Sequence, residues 1–324
     1  MTALPNQDAP RIAVIIPFFQ REPGVLVRAL RSVAAQDYAG PCRVIVVDDA
    51  SPVAADAEAQ DIELPASMTL QLIRQPNRGP GGARNRGLDE LAGAADYVAF
   101  LDSDDEWVPD HLSRAVKALE QGHDFYFTDI YQLDQQVSAF KRGGKVDLAK
   151  YRPLPAIEDG YEYAGDMVEQ IVFGNLIGTS SVVFRLKPLA AVRFRTELRR
   201  AGEDYLFWIG CARAGARFCF SSRVEVRYGR GVNIFAGTQW GTPEHLQRTV
   251  DELAYRRIVL AEMKTSSPSH QKLQGRIDAL LSDYGASFWS AMLRQPASTL
   301  SALLAHRRQQ PGLLAALPRR FFRR

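Results

Sequence analysis

Short apolar runs rich in β-branched residues alternate with helical segments in the first part of the chain, and this alternation constrains the fold more than any other feature. The runs RIAVIIPFF (11–19) and RVIVVDDAS (43–51) resemble strands that are buried on both faces of a parallel sheet. Between them, residues 23–36 place apolar side chains at helical spacing. The alternation continues with a strand pattern at 68–75, a helix with a glycine-rich entry at 81–93 and a strand at 96–105. This β-α-β order predicts an α/β fold with right-handed crossovers and a mostly parallel sheet.

The second part of the chain is less regular. Its polar, glycine- and proline-broken segment 136–165 predicts a long surface loop. The remaining predictions are a helix and a strand within 109–135, a strand at 175–185, a helix at 201–215, a strand or hairpin at 217–229 and helices from 244 to the end. We therefore expect a domain over residues 1–243 and a helical C-terminal extension over 244–324.

Aspartates follow two of the predicted strands, and ligands of open α/β sheets bind beyond the carboxyl ends of the strands. Asp48 and Asp49 end one strand, while FLDSDDEW (100–107) places Asp102, Asp104 and Asp105 after another. Two carboxylates one residue apart on an extended backbone point the same way and can share a divalent cation. The alternative is that Asp104 or Asp105 caps the helix that begins near Pro109.

Composition excludes several classes of protein. A net charge of +3 is too small to indicate nucleic-acid binding, and we expect no nucleic-acid partner. The three cysteines are odd in number and widely separated, which argues against a disulfide framework and a zinc site. The N-terminal residues carry no secretion signal, and no apolar run has the length of a membrane span. We therefore expect a cytoplasmic protein.

Five motifs in register give the chain a family resemblance. They occur over about residues 11–240, in the order and at the approximate spacing of the inverting family-two glycosyltransferases of GT-A fold, and the chain looks most like the bacterial enzymes that build exopolysaccharides or other surface glycans. The motifs are VIIPFFQRE, VVDDAS, NRGPGGARNRGLDEL, FLDSDDEW and GEDYLFW. The resemblance implies a Rossmann-like sheet flanked by helices and a nucleotide-sugar donor.

The resemblance also implies a nucleotide site. Pro17 and Phe19 would edge or stack on the base, and Asp49 would accept a hydrogen bond from it. Arg84 would bind a carbonyl or phosphate oxygen through its paired donors. The alternatives are that Pro17 and Phe19 are ordinary core residues, that Asp49 belongs to a turn needing no ligand and that Arg84 is a solvated helix arginine. Asp48 is expected to shape the turn.

The family's reaction assigns the remaining acids. Asp102 would lie by the ribose and the metal, and Asp104 would bind Mn²⁺ or Mg²⁺, which bridges the diphosphate and neutralises charge on the leaving nucleotide. Asp204, in GEDYLFW, would act as the general base that takes the proton of the acceptor hydroxyl. The alternative for Asp204 is that it favours the dipole at the start of a helix.

One departure from the family concerns its third ligand. Many relatives carry a histidine after the base region, whereas RYGRGVNIF (227–235) has none. Either Arg227 or Arg230 supports the diphosphate instead, or substrate oxygens and water complete the metal shell.

The C-terminal tail allows two interpretations. Residues 287–324 combine leucines, arginines and the pair Phe321-Phe322, and Asp283 is the last acidic residue of the chain. Such a segment can lie on anionic lipid, which would bring the protein to the inner face of the membrane, where a lipid-linked glycan would present its hydroxyl. The alternative is a helical subdomain packed on the catalytic core, with a solvated basic end.

Together these features predict an inverting, metal-dependent glycosyltransferase that moves a sugar from a nucleotide-diphosphate donor, UDP by family habit, to a growing polysaccharide or lipid-linked glycan. One alternative is a sugar nucleotidyltransferase, which is expected to have a glycine-rich, lysine-containing loop where this chain has PFFQREPG. Another is an inactive nucleotide-sugar or glycan binder that recruits partners to the membrane.

Overall fold

The structure is a computed structural model that describes residues 8–132, 135–144, 146–229 and 239–310, together with Asn6, Leu313 and Leu317. Contacts group the chain into two compact units. The first unit consists of Met1–Thr196 and Phe207–Val232, and the second consists of Glu197–Leu206 and Asn233–Arg324. The predicted domain boundary between residues 243 and 244 stays a prediction.

The first unit is built on a single mixed sheet. In the described residues the strands lie side by side in the order third, second, first, fourth, ninth, sixth, tenth, eighth, seventh, and the fifth pairs with the tenth. The strands are β1 (Ile12–Phe18), β2 (Cys42–Asp48), β3 (Met68–Arg74), β4 (Tyr97–Phe100), β5 (Glu106–Trp107), β6 (Phe125–Tyr131), β7 (Arg152–Pro153), β8 (Gly160–Glu162), β9 (Val183–Arg185) and β10 (Phe218–Arg227).

The strands β1, β2 and β4 are parallel and deeply buried, as their apolar runs predict. β1 pairs with β2 from Ile12 opposite Cys42 to Phe18 opposite Asp48, and on its other side β1 pairs with β4. β3 extends the parallel sheet beyond β2. This register brings the carboxyl ends of β1, β2 and β4 to one edge, and it confirms the predicted α/β class with its parallel core.

Helices cover this sheet, and one glycine sets how closely they approach. A Cβ at Gly87 would lie 2.5 Å from Cγ2 of Ile15, so the close packing of α3 on β1 requires glycine there. The helices of the first unit are α1 (Val25–Ala34), α2 (Ala55–Ala59), α3 (Gly79–Asp89), α4 (His111–Leu119), α5 (Ala139–Gly143), α6 (Met167–Gly174) and α7 (Leu186–Leu189), and α8 (Glu203–Arg213) runs from the second unit into the first.

Two predictions for the second half of this unit were wrong. The segment 136–165, predicted as a surface loop, contains α5, β7 and β8, and β8 pairs with β10, which is too distant in sequence to leave a local signal. The strand predicted over 175–185 is limited to β9, because Thr179–Ser181 forms a 3₁₀ turn before it. β9 runs antiparallel between β4 and β6. The strand predicted at 217–229 is confirmed as β10.

The second unit is helical, as predicted for the C-terminal region. Its long helices are α9 (Pro243–Ala261), α10 (Pro268–Arg294) and α11 (Pro296–Gln309). The imidazole of His306 on α11 lies 3.0 Å from the Tyr284 hydroxyl of α10 and 3.0 Å from the Gln247 side chain of α9, so one buried ring links all three helices. No helix in the described part of the chain is both long and apolar enough to cross a bilayer.

Candidate active site

The edge formed by the carboxyl ends of β1, β2 and β4 collects most of the residues that the sequence marks as functional. Pro17 lies near the end of β1 and Phe19 just beyond it, and both side chains are half-buried. Asp49 directly follows β2, and Asp102 follows β4 with Leu101 between them. The structure therefore brings these sequence-predicted residues to one edge of one unit.

The two adjacent aspartates after β2 have different partners. Asp48 accepts hydrogen bonds from the backbone N–H groups of Ser51 (2.8 Å) and Ala55 (3.3 Å), and so it shapes the turn. Asp49 accepts from the backbone N–H groups of Arg78 (2.8 Å) and Gly79 (2.8 Å), which lie at the start of α3. Its Oδ1 also accepts from the Gln75 side chain, at 2.7 Å.

These bonds fix the Asp49 carboxylate against the entry of α3 and leave little of it exposed. A carboxylate has about four acceptor positions, so three bonds do not exhaust it. Hydrogen bonding to a nucleotide base therefore stays a prediction for this residue.

A small polar network links the three strand ends. The side-chain amide of Gln20 donates to the hydroxyl of Ser103 at 3.0 Å. The backbone N–H of Gln20 donates to Oγ of Ser51 at 2.9 Å, and the Ser51 hydroxyl donates back to the Gln20 carbonyl at 3.0 Å. Residues after β1, β2 and β4 are thus held together by side-chain hydrogen bonds.

Arg84 is a buried arginine, so the alternative of a solvated helix arginine is wrong. Its guanidinium donates to Oδ1 of Asp102 at 2.5 Å and lies 5.3 Å from the ring centroid of Phe194. Its side chain is 4% exposed, against 32% for Asp102. Arg84 therefore orients the Asp102 carboxylate, whereas a contact with the nucleotide stays a prediction.

Asp105 is the most buried carboxylate of the acidic run. It accepts one hydrogen bond from the Ser180 hydroxyl and one from the backbone N–H of Gly229, at 2.9 Å. Burial raises the pKa of the Asp105 carboxyl well above its usual value, and the nearby charges of Asp104 and Asp102 raise it further. The two hydrogen bonds act in the opposite direction.

Ser180 joins both ends of this acidic run. While its hydroxyl donates to Asp105, its Oγ accepts the backbone N–H of Asp102 at 3.0 Å. Its carbonyl accepts the indole N–H of Trp107 at 2.6 Å. The Ser180 side chain is fully buried, so it acts as a fixed support beneath the loop that carries the aspartates.

The capping alternative for the acidic run is wrong. Asp110 stands at the N-cap position of α4, and the carboxylate oxygens of Asp105 bind Ser180 and Gly229 instead. Asp104 is half-buried beside them.

The run can hold a metal ion only together with other ligands. Across the described residues, no cluster of three or more His, Cys, Asp or Glu side chains could hold a metal. Mg²⁺ is commonly held by one or two carboxylates together with substrate phosphates and water. Asp102 fits this pattern, since its side chain is one-third exposed and Arg84 binds only its Oδ1.

Asp204, the predicted general base, belongs to the second unit. It lies in the first turn of α8, where Oδ1 accepts the backbone N–H of Tyr205 at 2.8 Å. Gly202, just before the helix, has a φ of 87°, and a Cβ there would also meet the ring of Tyr255. The start of α8 is therefore shaped by glycine, and the role of Asp204 as base stays a prediction.

Of the two arginines that could take the place of the missing histidine, the structure describes only Arg227. Arg227 ends β10, where it is exposed and stands opposite Glu106 of β5 in the strand register. Arg230 lies outside the described residues, as do most of the segment 227–235 and the pair Phe321-Phe322.

Sequence reasoning missed Ser180 and Gly229. A Cβ on Gly229 would lie 1.7 Å from the carbonyl oxygen of Asp104, so no other residue fits there without movement of the backbone. The four residues GTSS, which interrupt an otherwise strand-like run at 178–181, were the one local signal for Ser180.

Comparisons with known proteins agree with this architecture. A sequence profile described as glycosyl transferase family 2 matches residues 13–187. The succinoglycan biosynthesis protein ExoW of Rhizobium meliloti strain 1021 is 36% identical over 245 residues, which cover 74% of this chain and 75% of that protein.

Two solved structures share the fold over almost the whole chain. TarS 1–349 of S. aureus, in complex with UDP-GlcNAc, gives a TM-score of 0.58 at 18% identity and covers 95% of this chain and 83% of its own. The mannosyltransferase PcManGT of Pyrobaculum calidifontis, in complex with GDP-Man and Mn²⁺, gives 0.56 at 17% identity and covers 98% and 85%. At these identities the likeness shows the fold, which is the GT-A fold.

Proposed function

This chain belongs to glycosyl transferase family 2, and from that membership we propose that it moves one sugar from a nucleotide-diphosphate sugar to a hydroxyl of a growing glycan, with inversion at the anomeric carbon. One observation carries the proposal beyond the family name. Asp102 and Asp104 form a DXD sequence after β4, at the same edge of the sheet as Asp49 after β2. The strands β2 and β4 lie on either side of β1, and ligands of open α/β sheets bind beyond the carboxyl ends of such strands.

Asp102 and Asp104 are the residues that would hold Mn²⁺ or Mg²⁺. The bound ion would neutralise negative charge on the departing nucleoside diphosphate. Arg84 holds the Asp102 carboxylate in place through Oδ1, while Ser180 accepts the backbone N–H of Asp102 and donates to the carboxylate of Asp105. The buried supports lower the cost of organising these carboxylates when the donor arrives.

The acceptor chemistry needs a base, and Asp204 is our candidate. A carboxylate takes the proton of the acceptor hydroxyl as that oxygen attacks the anomeric carbon from the side opposite the diphosphate. Inversion follows from this single displacement. The support for Asp204 is its place in the motif GEDYLFW and in the first turn of α8.

The proposed donor is a UDP-sugar. The S. aureus protein of the same fold binds UDP-GlcNAc, whereas the Pyrobaculum protein binds GDP-Man. The identity of the donor nucleotide must therefore be measured. Pro17, Phe19 and Asp49 are the side chains proposed to contact it.

The proposed acceptor is a bacterial polysaccharide or its lipid-linked precursor. The name of the Rhizobium relative, a succinoglycan biosynthesis protein, supports the class of glycan. A lipid-linked acceptor would lie at the inner face of the membrane, so we include contact with that surface through the C-terminal region.

Thermal-shift and calorimetric titrations with UDP, GDP, TDP and CMP, each with and without Mn²⁺, test the proposal. We expect one nucleoside diphosphate to bind in a metal-dependent way, and we expect Asp104→Ala to lose that binding and metal-dependent turnover. Asp61→Ala removes an exposed carboxylate of the same unit and is the matched control. If none of the nucleotides binds, the proposed donor site is rejected. Donor binding without sugar transfer to any glycan acceptor would favour the inactive binder.

A further inference from the structure

Exposed leucines cluster in one region of the second unit. Among the described residues, three large hydrophobic side chains between positions 293 and 304 face solvent: Leu293 at 86%, Leu300 at 49% and Leu304 at 66% exposure. Soluble surfaces carry single exposed leucines without consequence, but a group of them marks an interaction site.

The helical spacing of α11 places two of these leucines on one stripe with arginines. Thr299 and His306, seven residues apart, are buried on the inner side of the helix. Leu300, Leu304 and Arg307 follow the spacing i, i+4, i+7 and therefore share an outward stripe. Exposed Arg308 lies beside them, and Leu293 and Arg294 end the preceding helix. We call these six residues the leucine–arginine surface.

Residues 284–324 carry charge of one sign. No acidic residue follows Asp283 in the sequence, so the exposed arginines of α10 and α11 have no carboxylate from residues 284–324 beside them. A second copy of this surface would bring arginine against arginine.

We propose that the leucine–arginine surface docks on an anionic lipid bilayer. Leucines that enter the region between headgroups and acyl chains, with arginines at headgroup level, are the two contributions that hold an interfacial helix on such a membrane. The proposal rests on the membrane contact suggested above and assigns that contact to described residues on α10 and α11. Lipid binding is independent of turnover, so it can fail while the glycosyltransferase function stands.

Co-sedimentation of the full-length protein with vesicles tests the proposal. The vesicles are pure phosphatidylcholine or phosphatidylcholine mixed with phosphatidylglycerol. We expect the protein to sediment with the anionic vesicles, to remain in solution with the neutral ones and to be released by added salt. A protein that stays in the supernatant with both, or that sediments equally with both, overturns the proposal.

Two double variants then locate the contact. Arg307→Gln with Arg308→Gln should weaken binding to anionic vesicles about 30-fold, at roughly fivefold for each arginine. Leu300→Ser with Leu304→Ser should weaken it by about tenfold or more. Unaltered binding by both double variants overturns the assignment to this surface, whatever the rest of the tail does.

A matched control removes the same residue types elsewhere. Leu148→Ser with Arg31→Gln changes an exposed leucine and an exposed arginine of the first unit and should bind lipid as the unchanged protein does. All the substituted side chains are solvent-exposed, so thermal unfolding should be unchanged in every variant. Equal weakening in the control would show a nonspecific charge effect and overturn the proposal. Metal-dependent donor binding, measured in the same samples, should be unaffected throughout.

Discussion

Replacement of Ser180 by alanine should show whether its hydroxyl supports the acidic loop, beyond the cost of removing any buried hydroxyl. The substitution removes the hydroxyl donor to Asp105 and the acceptor of the Asp102 backbone N–H, while the backbone of residue 180 and its bond from Trp107 remain. Its neighbour Ser181 is also fully buried, but its hydroxyl donates only to the Gly178 carbonyl, at 2.8 Å. Ser181→Ala is therefore a control of the same size and burial.

The expected magnitudes follow from these contacts. A buried hydrogen bond contributes about 0.5–1.5 kcal/mol, and a buried N–H left without a partner costs about 1–3 kcal/mol. Ser180→Ala should then lower the free energy of unfolding by about 1.5–4.5 kcal/mol. Ser181→Ala should cost about 1 kcal/mol, because the Gly178 carbonyl keeps the backbone N–H of residue 181, at 3.0 Å.

Urea unfolding of the two variants, followed by tryptophan fluorescence, measures this difference, and a titration of turnover with Mn²⁺ measures its functional side. We expect Ser180→Ala to need more Mn²⁺ for half-maximal turnover, since Asp102 loses its backbone anchor, and Ser181→Ala to behave as the unchanged protein does. Equal losses of stability, or equal Mn²⁺ requirements, would refute the reasoning that Ser180 supports the loop through its two specific bonds.

Three further substitutions test other parts of the molecule. Asp204→Asn should abolish sugar transfer while donor binding by calorimetry persists, and near-normal turnover would remove Asp204 from the role of base. Gly229→Ala should reduce turnover by about tenfold to a hundredfold, because its Cβ would displace the Asp104 backbone; normal kinetics would show that the loop adapts. Burial, with a smaller contribution from Arg200, lowers the pKa of His306 to about 4. This pKa lies below the ordinary value of about 6.5, so the free energy of unfolding is highest above pH 6.5 and falls by up to about 3 kcal/mol as the pH falls towards 4. Chemical denaturation at several pH values should show that His306→Gln flattens this dependence.

The sequence predicted those features of the fold that are written in local patterns. The apolar runs of β1 and β2 needed no partner to be recognised as buried strands, and the aspartates after β2 and β4 necessarily meet at one edge of a parallel sheet. In contrast, β8 is short and polar, and its pairing with β10 is visible only in three dimensions. The segment around it was therefore mistaken for a loop.

The candidate site divides in the same way. The acidic residues could be identified because their residue types and spacing indicate their chemistry. The sequence could not show that Asp49 binds the entry of α3 or that Arg84 is buried against Asp102, since both facts depend on packing between elements. The support by Ser180 was missed for the same reason, because its bond to Asp105 joins positions 75 residues apart.

That separation along the chain has a consequence for protein synthesis. A ribosome releases β1 to β4 first, whereas Ser180 emerges 75 residues after Asp105 and Gly229 emerges 124 residues after it. Domains generally fold as units, so the acidic loop gains both of its supports only after residue 229 has left the ribosome. Until then the nascent chain already contains Arg84, the partner of Asp102, but it lacks one or both of the hydrogen-bond donors of Asp105.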